Sequence, residues 1–387
     1  MESLRTKFFS YGSRSSPIRL KSGETLSEVT LAYETYGELN TERDNAILVF
    51  HALSGSQHAA GSNPSLPEAG DLWQSECYTG WWDDFIGSDK VIDTDQFYVI
   101  CCNYLGGCYG TTGPSSLDPA TSEPYGSSFP EVSFSDVVDT QVELLSHLGI
   151  SQLHAVVGAS LGGMMALNLS VRYPDKVRLV CPIATSFYST VLQRVLNVEQ
   201  VQAIERDPQF QDGDYYGNSG PINGLSLARM IAHKTYVSLE AMKSRASQKL
   251  NQPSRDSSRY KFQHSVESYM LHHGDKFTLR FDANTYLILL VGWLNYDLLK
   301  DSCADSISEM FGRCLNQSFL VFSIDSDVCF YPEEQKKLSE ELILAGVKSR
   351  LVEVKSQKGH DAFLLEPELF SESIRSFLGR ESDSSNN

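Results

Sequence analysis

The stretch Leu153-His154-Ala155-Val156-Val157-Gly158-Ala159-Ser160-Leu161-Gly162-Gly163 decides the fold. Leu153–Gly158 is a short run rich in apolar and β-branched side chains, which reads as a buried strand. Leu161–Tyr173 then has the apolar spacing of a helix. Between them, Gly158-Ala159-Ser160-Leu161-Gly162 is a GxSxG pentapeptide, and in a strand–turn–helix setting this pattern is a nucleophile elbow. So sharp a turn strains the serine backbone, and glycines two positions either side remove Cβ atoms that would otherwise clash. The Ser160 hydroxyl is then carried above the sheet at a helix N-terminus, whose amides favour developing negative charge. The pentapeptide alone is also compatible with a Gly-rich turn and a capping serine; the flanking strand and helix favour the nucleophile.

The same alternation continues outward from the elbow. Ala46–Leu53, Phe97–Cys102, Arg178–Ile183, Phe319–Ile324 and Arg350–Val354 read as further buried strands. Val137–Leu148, Pro332–Ala345 and Pro367–Leu378 read as helices. Such alternation implies a mostly parallel, doubly wound sheet with helices on both faces. It fails between about 186 and 316, where Leu192–Glu205, Leu225–Leu239 and Val266–Gly274 read as helices in succession. With a serine elbow at its centre, this is the α/β class, an α/β-hydrolase fold with an inserted helical lid. The expected organisation is a first part of the core over 1–185, the lid over 186–315, a second part of the core over 316–380, and a disordered polar tail over 381–387.

An elbow serine needs a histidine base and a carboxylate to orient it, in the chain order serine, aspartate, histidine. Of the nine histidines, those before Ser160 are out of order, and His233, His264, His272 and His273 fall in the helical insertion. His360, in Lys358-Gly359-His360-Asp361-Ala362-Phe363, lies in a loop after a late strand, where an imidazole can swing over the serine. The strand Phe319–Ile324 delivers Asp325-Ser326-Asp327 to the same edge. Spacing alone leaves both aspartates open, and Asp325 would equally serve to cap the next turn.

Composition excludes other classes. The 387 residues are 41% hydrophobic and 21% charged, as in a soluble globular protein. A net charge of −17 repels phosphate backbones, so nucleic acid is not expected as a partner. Met1–Ser16 has no apolar stretch fit for a signal peptide, and the longest apolar run, Tyr286–Leu294, is too short to span a bilayer. No membrane partner is expected. Eight cysteines without a CxxC pair or recurring spacing suit free thiols in a reducing cytoplasm, with no metal site and no permanently bound cofactor.

Leu31-Ala32-Tyr33-Glu34-Thr35-Tyr36-Gly37, His51-Ala52-Leu53-Ser54-Gly55, Gly80-Trp81-Trp82-Asp83, Asn103-Tyr104-Leu105-Gly106-Gly107-Cys108, Thr111-Thr112-Gly113-Pro114 and Phe129-Pro130 occur together in this chain. In that combination, along nearly its whole length, it resembles the homoserine O-acyltransferases of methionine biosynthesis. The resemblance implies that the first segment is an early strand and the second an oxyanion loop. It selects Asp327 over Asp325, because Ser326-Asp327-Val328-Cys329-Phe330-Tyr331-Pro332 is similar to the family's Ser/Thr-Asp-x-x-Phe/Tyr-x-Pro pattern. It implies that Asp361 meets the amino group of homoserine and Arg229 its carboxylate, that the Leu53 and Leu161 amides form the oxyanion hole, and that the protein is a homodimer. A zwitterionic amino acid needs a cation for one end and an anion for the other, so the pairing is chemically sound. The chain departs from the family at Gly292-Trp293-Leu294-Asn295-Tyr296-Asp297, where an acidic-plus-histidine motif is often found. That departure is expected to bear on substrate access or subunit packing.

The implied chemistry is a two-step transfer from an acyl-coenzyme A co-substrate to L-homoserine through an acyl-serine on Ser160, with His360 as base and Asp327 as its orienter. Family members that use succinyl-coenzyme A tend to carry an arginine two residues after the aspartate; Cys329 stands there, which favours acetyl-coenzyme A. Homoserine or serine O-succinyl transfer and plain ester hydrolysis use the same triad and are the competing activities. A triad retained only in a ligand receptor is a third reading. Lys243, Arg245, Lys249, Arg255, Arg259 and Lys261 face one acidic residue, Asp256, across one short stretch. They form either a solvated lid face or a contact for coenzyme A phosphates.

Overall fold

The computed structural model describes residues 6–248 and 264–379. Its central sheet has eight strands: β1 (Lys7–Tyr11), β2 (Val29–Tyr36), β3 (Ala46–Phe50), β4 (Tyr98–Cys102), β5 (Leu153–Ala159), β6 (Val177–Ile183), β7 (Ser318–Ile324) and β8 (Lys348–Val354). Their order is β1-β2-β4-β3-β5-β6-β7-β8, with β2 antiparallel to both its neighbours, β1 and β4, and the other pairs parallel. β3 and β5 are buried at every residue, which is why they read as continuous apolar runs rather than alternating ones. Val157 at the centre of β5 pairs with Val49 on one side and Cys181 on the other. Residues of one strand alternate between two cores: Leu48 and Phe50 pack on one face of the sheet, Ile47 and Val49 on the other.

Helices cover both faces. On the first lie α1 (Phe134–His147) and α2 (Leu161–Arg172), the former opened by a capping box in which Ser133 and Asp136 satisfy each other's backbone N–H. The insertion between β6 and β7 holds α3 (Val191–Glu205), α4 (Ile222–Tyr236), α5 (Leu239–Gln248), α6 (Ser265–Thr278), α7 (Ala283–Asn295), α8 (Leu298–Asp301) and α9 (Ile307–Gly312). After β7 come α10 (Pro332–Leu344) and, past β8, α11 (Ala362–Leu365) and α12 (Glu368–Leu378). The face of α12 carrying Phe370, Ile374 and Phe377 closes the second core. This is the mostly parallel doubly wound fold expected above. The tail over 381–387 lies outside the described residues.

One expected helix is divided. Leu225–Leu239 does not run through: α4 ends at Tyr236, Val237 is extended at φ −119° and ψ 135°, and the Ser238 hydroxyl accepts the Ala241 amide at 3.1 Å to start α5. A β-branched residue followed by a good capping residue favours that break over continuation. No described helix is long and apolar enough to cross a membrane; the apolar run Tyr286–Leu294 is the buried α7. All eight cysteines are free thiols, six of them buried.

Candidate active site

Ser160 stands between β5 and α2 at φ 58° and ψ −126°, a strained combination for a residue with a side chain. The flanking glycines permit it. A Cβ on Gly158 would lie 2.2 Å from the Gly162 carbonyl oxygen, and one on Gly162 would lie 2.3 Å from that of Phe50. The turn is tied down through the Ser160 backbone: its N–H donates to Ile183 O at 2.9 Å, and its carbonyl accepts the Thr185 hydroxyl at 2.7 Å. The side chain makes no capping bond to α2.

His360 follows Gly359 in the loop after β8, and its Nδ1 lies 2.6 Å from Asp327 Oδ2. Both residues are buried, and His360 Nε2 has no hydrogen-bond partner among the described residues. Asp327 Oδ1 accepts the amides of Cys329 and Phe330 at 2.8 and 2.9 Å, which holds the carboxylate in one orientation. Asp325 faces elsewhere, accepting the Ser356 amide at 2.9 Å near the surface. The imidazole is packed on three sides by rings: Phe330 stacked at 5.4 Å, Phe363 edge-on at 5.2 Å, and Tyr236 at 6.1 Å. Phe330 in turn lies parallel to Trp293 at 5.3 Å. Trp293 and Tyr296, from the segment that departs from the family pattern, are buried, and Tyr296 donates to Met164 O at 2.9 Å. Asn295 in the same segment is exposed, so the departure runs from the core to the surface.

Ser160 and His360 share a cavity of about 190 Å³ with Leu53, Arg229 and Asp361. Trp81, Tyr236, Arg280, Phe363 and Leu364 also line it. Leu53 lies in the loop after β3, where Ala52 O accepts His51 Nδ1 at 2.8 Å and Gly55 N–H at 3.0 Å. The amide on the opposite side of that peptide plane belongs to Leu53. Leu161 is the first residue of α2, so its N–H has no acceptor within the helix. His51 is stacked on Tyr104 at 3.6 Å, and burial brings its pKa down to about 4, so it stays neutral behind the loop. Further along, His58 Nδ1 meets Glu34 Oε2 at 2.7 Å in a fully buried pair. Burial alone would raise the Glu34 pKa, but the hydrogen bond and charge of His58, with donors from Thr6 and Tyr36, bring it below the ordinary value.

Arg229, on α4, lies over the rings of Phe277 and Tyr236 at 4.8 and 5.2 Å. Asp361 is half-buried; desolvation raises its pKa, with His360, Arg229 and Arg245 acting in the opposite sense. The cavity thus offers a guanidinium and a carboxyl group beside the Ser–His pair. Cys329 is buried but is not among the residues lining the cavity; its amide serves Asp327, and burial pushes its thiol well up. The insertion histidines stay apart from the cavity: His233 Nε2 pairs with the Tyr269 hydroxyl at 2.9 Å, and His264 caps α6. Of the basic stretch, Lys243 and Arg245 lie on α5; Lys249, Arg255, Arg259 and Lys261 fall outside the described residues.

Sequence reasoning missed Arg280, Trp81 and Tyr236. Trp81 had a signal, since it sits in the quoted Gly80-Trp81-Trp82-Asp83: its Nε1 donates to Ser56 O, and the Trp82 Nε1 donates to Phe363 O, so the pair ties the loop after β3 to the loop of His360. Arg280 stands between α6 and α7, and a lone arginine at a helix end carries no pattern of its own.

Residues 45–367 match the family described as the alpha/beta hydrolase fold. Homoserine O-acetyltransferase from Methanococcus vannielii is 43% identical over 359 residues, an overlap covering 93% of this chain and 70% of that protein. The crystal structure of homoserine O-acetyltransferase from Bacillus anthracis matches with a TM-score of 0.85 at 28% identity, over 98% of this chain and 99% of that one. Esterase E22 reaches the same TM-score at 26% identity, over 97% of this chain and 100% of its own. One scaffold therefore serves proteins named for acyl transfer and for ester hydrolysis, and the side chains of the pocket have to separate the two.

Proposed function

Because the chain belongs to the homoserine O-acetyltransferase family on the α/β-hydrolase fold, and is an acyltransferase, we propose that it moves an acetyl group from acetyl-coenzyme A to the side-chain hydroxyl of L-homoserine. The observation that carries this reading is a single cavity lined by Ser160, His360, Arg229 and Asp361. Ester hydrolysis needs the first two; a zwitterionic acceptor needs all four.

In the first half-reaction His360 Nε2 takes the Ser160 proton as Oγ attacks the thioester carbonyl, while Asp327 holds the Nδ1–H tautomer. The tetrahedral oxyanion is stabilised by the Leu53 and Leu161 amides, each worth about 3–4 kcal/mol. The C–S bond breaks, the imidazolium returns its proton to the departing thiolate, and acetyl-Ser160 remains. Homoserine then binds with its carboxylate on Arg229 and its ammonium on Asp361. His360 Nε2 removes the hydroxyl proton, the alkoxide attacks the acyl-serine, and collapse releases O-acetylhomoserine while Ser160 recovers its proton. Water competes for the acyl-serine, and the helices of the insertion, which contribute Arg229 and Tyr236 to the cavity, limit it. The acetyl donor is supported by relatives named homoserine O-acetyltransferase; Cys329, which does not line the cavity, does not bear on it.

The product fits a step in methionine biosynthesis, and eight free cysteines fit the reducing cytoplasm. A homodimer is supported by the exposed side chains of Val191, Leu192, Val195 and Val198 along α3, an apolar stripe on the insertion. The test is a product assay by mass spectrometry that crosses acetyl- and succinyl-coenzyme A with homoserine, serine and water alone. O-Acetylhomoserine as the dominant product supports the proposal. Free acetate formed equally fast with and without homoserine would make the protein an esterase.

A further inference from the structure

We propose that Arg280 is a positioning residue for acyl transfer: supplied by the insertion, its guanidinium holds the oxyanion loop so that the Leu53 amide faces the reacting carbonyl. The inference rests on the acyl-serine reading above. Arg280 sits between α6 and α7 and reaches the wall of the cavity that Ser160 and His360 share. Its Nη1 donates to Ser54 O at 3.1 Å, one residue beyond Leu53.

The guanidinium is fixed from behind. The buried Tyr109 hydroxyl donates to the Arg280 carbonyl and accepts from Nη1 at 3.4 Å. The Phe277 ring lies under the guanidinium at 5.1 Å, and Glu76 stands 3.9 Å from Nε. Two residues on, Asp282 accepts the Thr285 amide at 2.8 Å to cap α7, and it also takes the hydroxyls of Tyr215 and Tyr216. A planar fork held this firmly can orient a carbonyl group, which a flexible ammonium does less well.

The loop has a corresponding need. His51 Nδ1 and Gly55 N–H hold Ala52 O, which fixes the peptide plane of the Leu53 amide on its N-terminal side. Arg280 holds Ser54 O on the C-terminal side. With both carbonyls restrained, the Leu53 amide is held in place before charge develops, and preorganisation of this kind is the source of oxyanion-hole catalysis. Both half-reactions pass through an oxyanion, so both depend on Arg280; homoserine affinity, carried by Arg229 and Asp361, does not.

The experiment compares Arg280→Ala, Arg280→Lys and Ser160→Ala in the full chain. Misplacing the amide by about 1 Å is expected to lower kcat roughly 100-fold in Arg280→Ala, in both acyl-enzyme formation and its discharge. The homoserine KM and the melting temperature stay close to wild type, added methylguanidinium restores part of the rate, and the lysine variant falls between. Affinity for a boronic acid that forms a tetrahedral serine adduct drops in parallel with kcat. Wild-type kcat, or a loss confined to the homoserine KM, overturns the inference, as does a lower melting temperature without rescue by methylguanidinium. If Ser160→Ala still turns over, the acyl-serine reading fails whatever Arg280 does; if it is inactive and Arg280→Ala has wild-type kcat, only the positioning role fails.

Discussion

In the proposed reaction Asp361 serves two opposed demands. Burial raises its pKa above the ordinary carboxylate value, so the ionised form needed to hold an ammonium group is a cost to the empty protein. With the folded pKa above the unfolded one, the native chain binds more protons between the two values. The ionised carboxylate therefore subtracts from stability above its folded pKa, and the subtraction vanishes as pH falls below the unfolded value. Asp361→Asn is expected to melt higher than wild type at neutral pH, with the difference closing in acid. Its homoserine KM is expected to rise roughly 10–100-fold, the loss of a charge-assisted hydrogen bond. Melting curves from acid to neutral pH check the first outcome, and a difference that ignores pH would rule out the carboxylate charge as its cause. At this scale the motif pointed to Ser160 and chain order to His360, and the two line one cavity. Asp325 and Asp327 ride the same strand end, so spacing could not part them; only the turn after β7 sends the Asp327 carboxylate inward and that of Asp325 out to Ser356.

Short elements do much of the positioning. The break at Val237–Ser238 brings the start of α5 against the histidine loop, where Ser238 donates both to Lys358 O and, through its hydroxyl, to Gln357 O. Gly359 makes that approach possible: its φ is 74°, and a Cβ there would stand 2.6 Å from the Ser238 amide nitrogen. Gly359→Ala is expected to cost about 1–3 kcal/mol in urea unfolding and to lower kcat, because His360 is the next residue. Unchanged stability and kcat would mean that the loop rearranges freely. Of the six parallel strands, β3 to β7 were readable because strands covered on both faces are continuous apolar runs, whereas β8, half exposed at the far edge, was readable only in its Arg350–Val354 part. β1, Lys7–Tyr11, mixes exposed and half-buried residues at the sheet edge and shows no such signal. Helix boundaries failed where a capping serine outweighed apolar spacing, as at Ser238.

Across the whole molecule, a core in two sequence segments supplies Ser160 and His360, and the helical insertion between them supplies Arg229, Tyr236 and Arg280 to the same cavity. The core was legible because its alternation repeats; the insertion was legible as helices but not as a pocket wall, since the side chains that meet there share no sequence pattern. The exposed stripe on α3 is expected to pair two copies of the chain, so Val195→Lys should sediment as a monomer while wild type sediments as a dimer. Identical sedimentation of the two would place any interface elsewhere. The acyl-serine itself can be observed directly. Rapid-quench intact-mass analysis of the full chain mixed with acetyl-coenzyme A, without homoserine, should show one added acetyl group, mapped by peptide sequencing to Ser160, discharged on adding homoserine and absent in Ser160→Ala. Product formation with no acetyl group ever on Ser160, or an unchanged burst in Ser160→Ala, would contradict it.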